Sequence, residues 1–254
     1  MKLVKLIFLS TILVLSGCVS SNIYPEKAIV EPKLIISSIE LEKQINARKS
    51  VPLPAGEQWY KVIDGHVPII ITAPHATSPF RLGKRRFSDG GGTAALAVAL
   101  AELTDATVIY SVYEGPSDPN YYDDNAFKKE LARLIHDKNP MLVLDIHGSH
   151  PFRSYDIDLG TMDGKSLLGN DDLLYELIQN LKSEGIFSIS NNRFGASKNQ
   201  TITRFSSHKG IPAIQLEINA TYVTPTNGNI EAQRFSRLVQ ALTRYIKQLL
   251  GKNH

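Results

Sequence analysis

Two histidines stand at the ends of apolar, β-branched runs. One run reads Ile69-Ile70-Ile71-Thr72-Ala73-Pro74-His75, the other Leu142-Val143-Leu144-Asp145-Ile146-His147. A third run, Ala213-Ile214-Gln215-Leu216-Glu217-Ile218, carries a carboxylate near its end. Histidine and glutamate bind divalent metals and move protons near neutral pH. A lone histidine at such a place could serve only a polar loop. Two at equivalent strand ends of one sheet point instead to a metal site. A catalytic zinc takes three protein ligands, imidazole nitrogens or carboxylate oxygens, and keeps a fourth position for water.

The third ligand must be a nearby His, Asp or Glu. A glutamate three residues after His75 is absent, because Ser78 stands there. Asp89, in Phe87-Ser88-Asp89-Gly90, is the candidate, and it is equally suited to cap the helix that follows. Glu217 interrupts an apolar strand, where a buried carboxylate is costly unless it is paired or works on activated water; the alternative is an edge strand with Glu217 facing solvent. Asp145 shares a strand face with His147 at spacing two, so it either orients that imidazole or is a plain polar strand residue. Arg193 and Arg204 fall in a loop-like stretch before the Glu217 strand. Each either grips a substrate carboxylate with paired N–H donors or is a solvated surface arginine. His150 and His208 lie in loops near these motifs, whereas His136 is expected to be solvated on a helix and His254 is terminal.

Other chemistries fail on motif. There is no Gly-x-Ser-x-Gly elbow, and Gly90-Gly91-Gly92 lacks both the dinucleotide frame and the phosphate-loop Lys-Ser/Thr ending. Among 254 residues there is one cysteine, which excludes an intrachain disulfide framework and a cysteine zinc cluster.

The residues that must position this chemistry alternate in type. Residues 67–72, 107–112, 141–146, 187–190 and 213–218 read as strands, and 92–103, 123–137 and 171–183 as helices. Phe235, Leu238, Val239, Leu242, Ile246 and Leu249 form the apolar face of a C-terminal helix. Apolar β-branched runs separated by helices predict an α/β domain with a mainly parallel sheet covered on both faces. In such sheets ligands bind beyond the carboxyl ends of the strands, where His75, His147 and Glu217 fall.

A net charge of +3, part of it from Lys2 and Lys5 in the leader, is too balanced for a nucleic-acid binder. Lys2, Lys5 and the apolar run 6–15 read as a signal peptide over residues 1–17; the run is too short to span a bilayer. It ends in Leu15-Ser16-Gly17-Cys18, a lipobox pattern, so Cys18 is the expected lipidation site and membrane anchor. Val19 is no retention signal, which predicts an outer-membrane lipoprotein facing the periplasm. Residues 18–54 read as the lipidated cysteine and a tether with some helix around 39–47, and residues 55–254 as the catalytic domain.

Six short motifs occur in the order seen in N-formylglutamate amidohydrolases: Ala73-Pro74-His75, Leu144-Asp145-Ile146-His147, Leu159-Gly160-Thr161-Met162-Asp163-Gly164, Asn192-Arg193-Phe194, Ile202-Thr203-Arg204 and Gln215-Leu216-Glu217-Ile218. Residues 69–222 thus resemble that family, which implies a three-layer α/β/α sandwich, phosphorylase/hydrolase-like, related to zinc carboxypeptidases. It also implies one catalytic zinc held by His75, His147 and Asp89, with Glu217 as general base and Arg193 and Arg204 on the substrate carboxylate. Residues 159–164 would be a loop near the pocket. Two departures stand out. Ser197-Lys198-Asn199-Gln200 replaces the family's Lys-Gly-Gly-Tyr, and Asp118-Pro119-Asn120 is at best a partial counterpart of its Asp-Leu-Asn-Arg. The expected activity is zinc-dependent hydrolysis of an amide beside a carboxylate. The rivals are an envelope amidase or carboxypeptidase acting on cell-wall peptides, and a non-catalytic binding module on the same fold.

Overall fold

The computed structural model describes residues 27–252. The expected signal peptide and the expected lipidation site, Cys18, lie outside the described residues. Seven strands form the main sheet: β1 (Tyr60–Ile63), β2 (Val67–Ala73), β5 (Ala106–Ser111), β6 (Leu142–Ser149), β7 (Ile157–Gly160), β8 (Ile189–Asn191) and β9 (Ala213–Asn219). The short hairpin β3 (Phe80–Arg81) and β4 (Lys84–Arg85) stands apart. The order across the sheet is β1-β5-β2-β6-β9-β7-β8. Its centre, β5, β2, β6 and β9, is parallel; β1 pairs antiparallel to β5, and β7 antiparallel to β9. Among the described residues seven α-helices accompany the sheet: α1 (Pro32–Arg48), α2 (Gly91–Thr104), α3 (Ala126–Lys138), α4 (Asp172–Ser183), α5 (Ile202–His208), α6 (Ala220–Val223) and α7 (Asn229–Gly251).

Strand periodicity builds the layers. Ile69, Ile71, Val108, Leu142, Leu144 and Ile146 pack on one face with residues of α1, α2, α4 and α7. The alternate residues Ile70, Ile109 and Val143 pack on the other face with Phe127, Leu131 and Leu134 of α3 and Ile202 of α5. Both faces are therefore covered, and the result is the expected three-layer α/β/α arrangement with a mostly parallel sheet. Each fully buried Ile or Leu contributes about 1.5–3 kcal/mol.

Two readings are corrected. The segment taken as a tether holds the 17-residue helix α1, whose Leu34 and Ile45 join the core against α2. Its buried face is Leu34, Ser38, Glu42 and Ile45, half polar, so it shows no apolar stripe. Glu42 is satisfied by accepting from the Thr226 backbone N–H (3.0 Å). The loop-like stretch before the Glu217 strand contains α5, capped by Thr201, whose hydroxyl accepts from the Arg204 N–H at 3.1 Å.

The chain leaves β2 through α2 to β5 on one side, then crosses through α3 to β6 on the other. The strand order thus reverses between β2 and β6, the place where an open α/β sheet forms a crevice.

Candidate metal centre and active site

At the carboxyl ends of β2 and β6 the two imidazoles meet, with ring centroids 4.9 Å apart. His75, Asp89 and His147 each offer one ligand atom within 4.8 Å of the others. Asp89 Oδ2 lies 2.8 Å from His147 Nδ1 and 3.4 Å from His75 Nδ1. Asp89 does not cap α2: the cap residue is Gly90, and the Gly91 N–H donates instead to Asn46 Oδ1 of α1 (2.8 Å). The Asp89 backbone N–H donates to His75 O (2.8 Å), tying the ligand loop to the end of β2. A Cβ on Gly148 would lie 2.5 Å from Asp89 O, so only glycine lets β6 approach this loop so closely.

Behind each ring stands a second carboxylate. His75 Nε2 is 2.7 Å from Asp118 Oδ1, and His147 Nε2 is 3.1 Å from Asp145 Oδ2. Asp145 is fixed in turn by the Thr72 hydroxyl (2.7 Å), and Asp118 accepts from the Asn120 N–H (2.9 Å). Asn120 Oδ1 accepts from the Ile202 N–H (2.8 Å), while its amide nitrogen faces His147 Nε2 (2.6 Å). Carboxylates on the outer ring nitrogens fix the tautomer of metal-binding histidines and raise their basicity. The Arg86 guanidinium points at His75 Nδ1 (3.0 Å) and at Asp89 Oδ1 (3.1 Å), which marks that nitrogen as an acceptor.

Burial opposes charge on Asp89, yet His75, the bond from His147 and nearby Arg86 hold it well below the usual carboxylate range. Burial likewise opposes a charged His147, but Asp145 and Asp89 raise it well above the usual imidazole range. Asp118, also buried, is lowered to about 2 by His75. Two imidazole nitrogens and a carboxylate oxygen face one point, and an N₂O donor set suits zinc. The residues present fit the metal.

Glu217 is the Cα partner of His147 in the parallel β6–β9 register, and Asp158 is its partner on β7. One row across three strands therefore carries a ligand, a candidate base and a loop anchor. Gln215 Nε2 donates to Glu217 Oε1 (2.9 Å). Burial pushes the Glu217 carboxyl up to about 7, helped by Asp89 and opposed by His147 and His75. The buried Asp158 accepts from the backbone N–H groups of Arg193 (3.1 Å) and Phe194 (2.7 Å), which sets their loop over the site.

A cavity of about 500 Å³ opens here, lined by His75, His147 and Glu217 and by the cations Arg81, Arg86, Arg193 and Lys198. Arg193 thus faces the cavity. Arg204 does not line it; its guanidinium reaches Ser197 O at 3.5 Å. Asp145 lies behind His147. His150 stands on the neighbouring side of Glu217, and His136 is exposed. Sequence reasoning missed Arg81, Arg86, Asp118 and Asn120. The Asp118-Pro119-Asn120 segment was the one available signal.

The fold is that of an α/β protein with a carboxypeptidase-like arrangement, a mostly parallel sheet flanked by helices. Three solved structures are similar. A gene product from Agrobacterium tumefaciens is 12% identical over 77% of this chain and 96% of that one, with a TM-score of 0.51. N-formylglutamate amidohydrolase from Ralstonia eutropha is 13% identical, covering 74% and 98%, with a TM-score of 0.50. A metallo-carboxypeptidase from Pseudomonas aeruginosa is 11% identical, covering 87% and 68%, with a TM-score of 0.51. At these identities the likeness is one of fold. No protein-family model and no curated protein matches the chain.

Proposed function

We propose that the protein is a zinc-dependent amidohydrolase that cleaves an amide in an N-acyl amino acid or similar carboxylate-bearing substrate. The observation that carries this reading is the convergence of His75 Nδ1 and His147 Nδ1 on Asp89 Oδ2, each ring backed by its own carboxylate. His75, Asp89 and His147 would hold the zinc. When bound, zinc polarises a carbonyl and activates water. Arg193, with Arg81, Arg86 and Lys198 on the same cavity, binds the substrate carboxylate and orients the amide. Glu217 takes a proton from the water attacking the carbonyl carbon and returns it to the leaving amine nitrogen as the C–N bond breaks. Glu217 lines the cavity beside His75 and His147, within the cleft where both transfers occur.

Glu217→Gln removes the proton acceptor but none of the three ligands. It is expected to retain zinc and lose turnover by about 10²–10⁴-fold, measured by amine release from N-formyl- and N-acetyl-glutamate. Turnover within threefold of wild type would remove Glu217 from the reaction. The Leu15-Ser16-Gly17-Cys18 sequence favours a second reading of the same chemistry, a lipid-anchored hydrolase acting on cell-wall peptides; muropeptide cleavage without cleavage of simple N-acyl amino acids would select it.

A further inference from the structure

The metal cluster lies between two cavities. His75 and His147 line the basic one, whereas Asp89 lines a second, of about 630 Å³. Arg86, Phe194 and Glu217 line both, so the two are lobes of one cleft meeting at the reacting centre. The second lobe is also polar, with Arg86, Arg153, His150 and Ser149 on its walls, but it adds an apolar edge of Phe87, Pro151 and Phe152 that the first lobe lacks. Phe152 is 91% and Phe87 76% exposed, an unusual state for two large rings bordering one cavity. Each ring has one cationic or imidazole neighbour: the Arg86 guanidinium lies 4.9 Å from the Phe87 ring centre, Arg153 lies 4.9 Å from that of Phe194, and His150 stands 5.0 Å from that of Phe152. Exposed apolar surface that rims a cavity gains free energy when a ligand covers it.

We infer that the second lobe receives the acyl part of the substrate, and that this part is large and aromatic or otherwise apolar. The inference rests on the amidohydrolase reading, which places the carboxylate-bearing amine half in the basic lobe. The acyl half then extends past Glu217 on the other side. A formyl group, one carbon and one oxygen, would leave a lobe of this size unfilled and both phenylalanines in water. The substrate class is therefore an arylacyl amino acid, or a peptide with an aromatic residue before the scissile bond, ending in free carboxylate.

The test uses two sulfonamides that are not hydrolysed as amides, N-benzylsulfonyl-L-glutamate and N-methylsulfonyl-L-glutamate, titrated calorimetrically into the zinc-loaded full chain. The benzyl compound is expected to bind about tenfold or more tightly than the methyl one. In Phe152→Ala with Phe87→Ala, both exposed positions, that ratio should fall toward one. Equal affinities in the wild type, or a ratio the double variant leaves intact, would overturn the assignment of the lobe. Amine release from N-phenylacetyl- and N-formyl-glutamate reports separately on the parent reading. A retained affinity ratio without any turnover keeps the lobe and ends the hydrolase; turnover with equal affinities ends the lobe alone.

Discussion

Asp118 and Asp145 occupy the outer nitrogens of two imidazoles whose inner nitrogens face Asp89. Their work is to keep each ring turned and each Nδ1 lone pair aimed inward. Asp118→Asn retains the shape but loses the charge that pairs with His75. Zinc affinity is expected to fall about 10–100-fold, measured by competition with a chelating dye. Unchanged affinity would show that Asp118 does not orient His75. Asp145 was legible because strand alternation puts residues two apart on one face. Asp118 was not, since it lies in a loop 43 residues beyond His75 and only tertiary folding brings them together. Arg204, matched by a motif, does not itself line the cavity, and its guanidinium lies 3.5 Å from the carbonyl of Ser197, which does.

The helix α1 shows how an element outside the sheet reaches the site. Asn46 accepts from the first N–H of α2, and Lys49 O accepts from the Ser78 N–H (2.7 Å), so α1 and its end brace the connection from β2 to α2 at two points. Ile45, fully buried, fastens it to the core. Ile45→Ala is expected to cost about 2–5 kcal/mol of stability, read from the midpoint of urea unfolding. A loss below about 0.5 kcal/mol would mean that α1 is the loose tether its sequence suggested. That misreading has a physical source. Two of the four buried α1 positions are Ser38 and Glu42, which bond to Leu34 O and to the Thr226 N–H, and no apolar period survives. The long strands β2, β5, β6 and β9 were legible because strands covered on both faces must be apolar throughout. The four-residue β7, with Asp158 inside it, offered no such run.

At the scale of the whole molecule, topology explains why the site is where it is. The strand order reverses between β2 and β6, helices splay apart there, and the residues after both strands enter one crevice. That crevice was readable from the chain, since it follows from apolar runs and the direction of parallel strands. The shape of its walls was not, because loops 115–125 and 192–201 are set by single buried contacts such as Asp158 with the Arg193 and Phe194 N–H groups. Metal-assisted chemistry in this crevice requires His75, Asp89 and His147 to share one divalent cation. Calorimetric zinc titration of the metal-free full chain, beside His75→Ala and His147→Ala, tests this most directly. One zinc per chain in the wild type, with that binding lost in both variants, is the predicted result. A chain that takes up no zinc, or one whose zinc binding survives the loss of either imidazole, would contradict it.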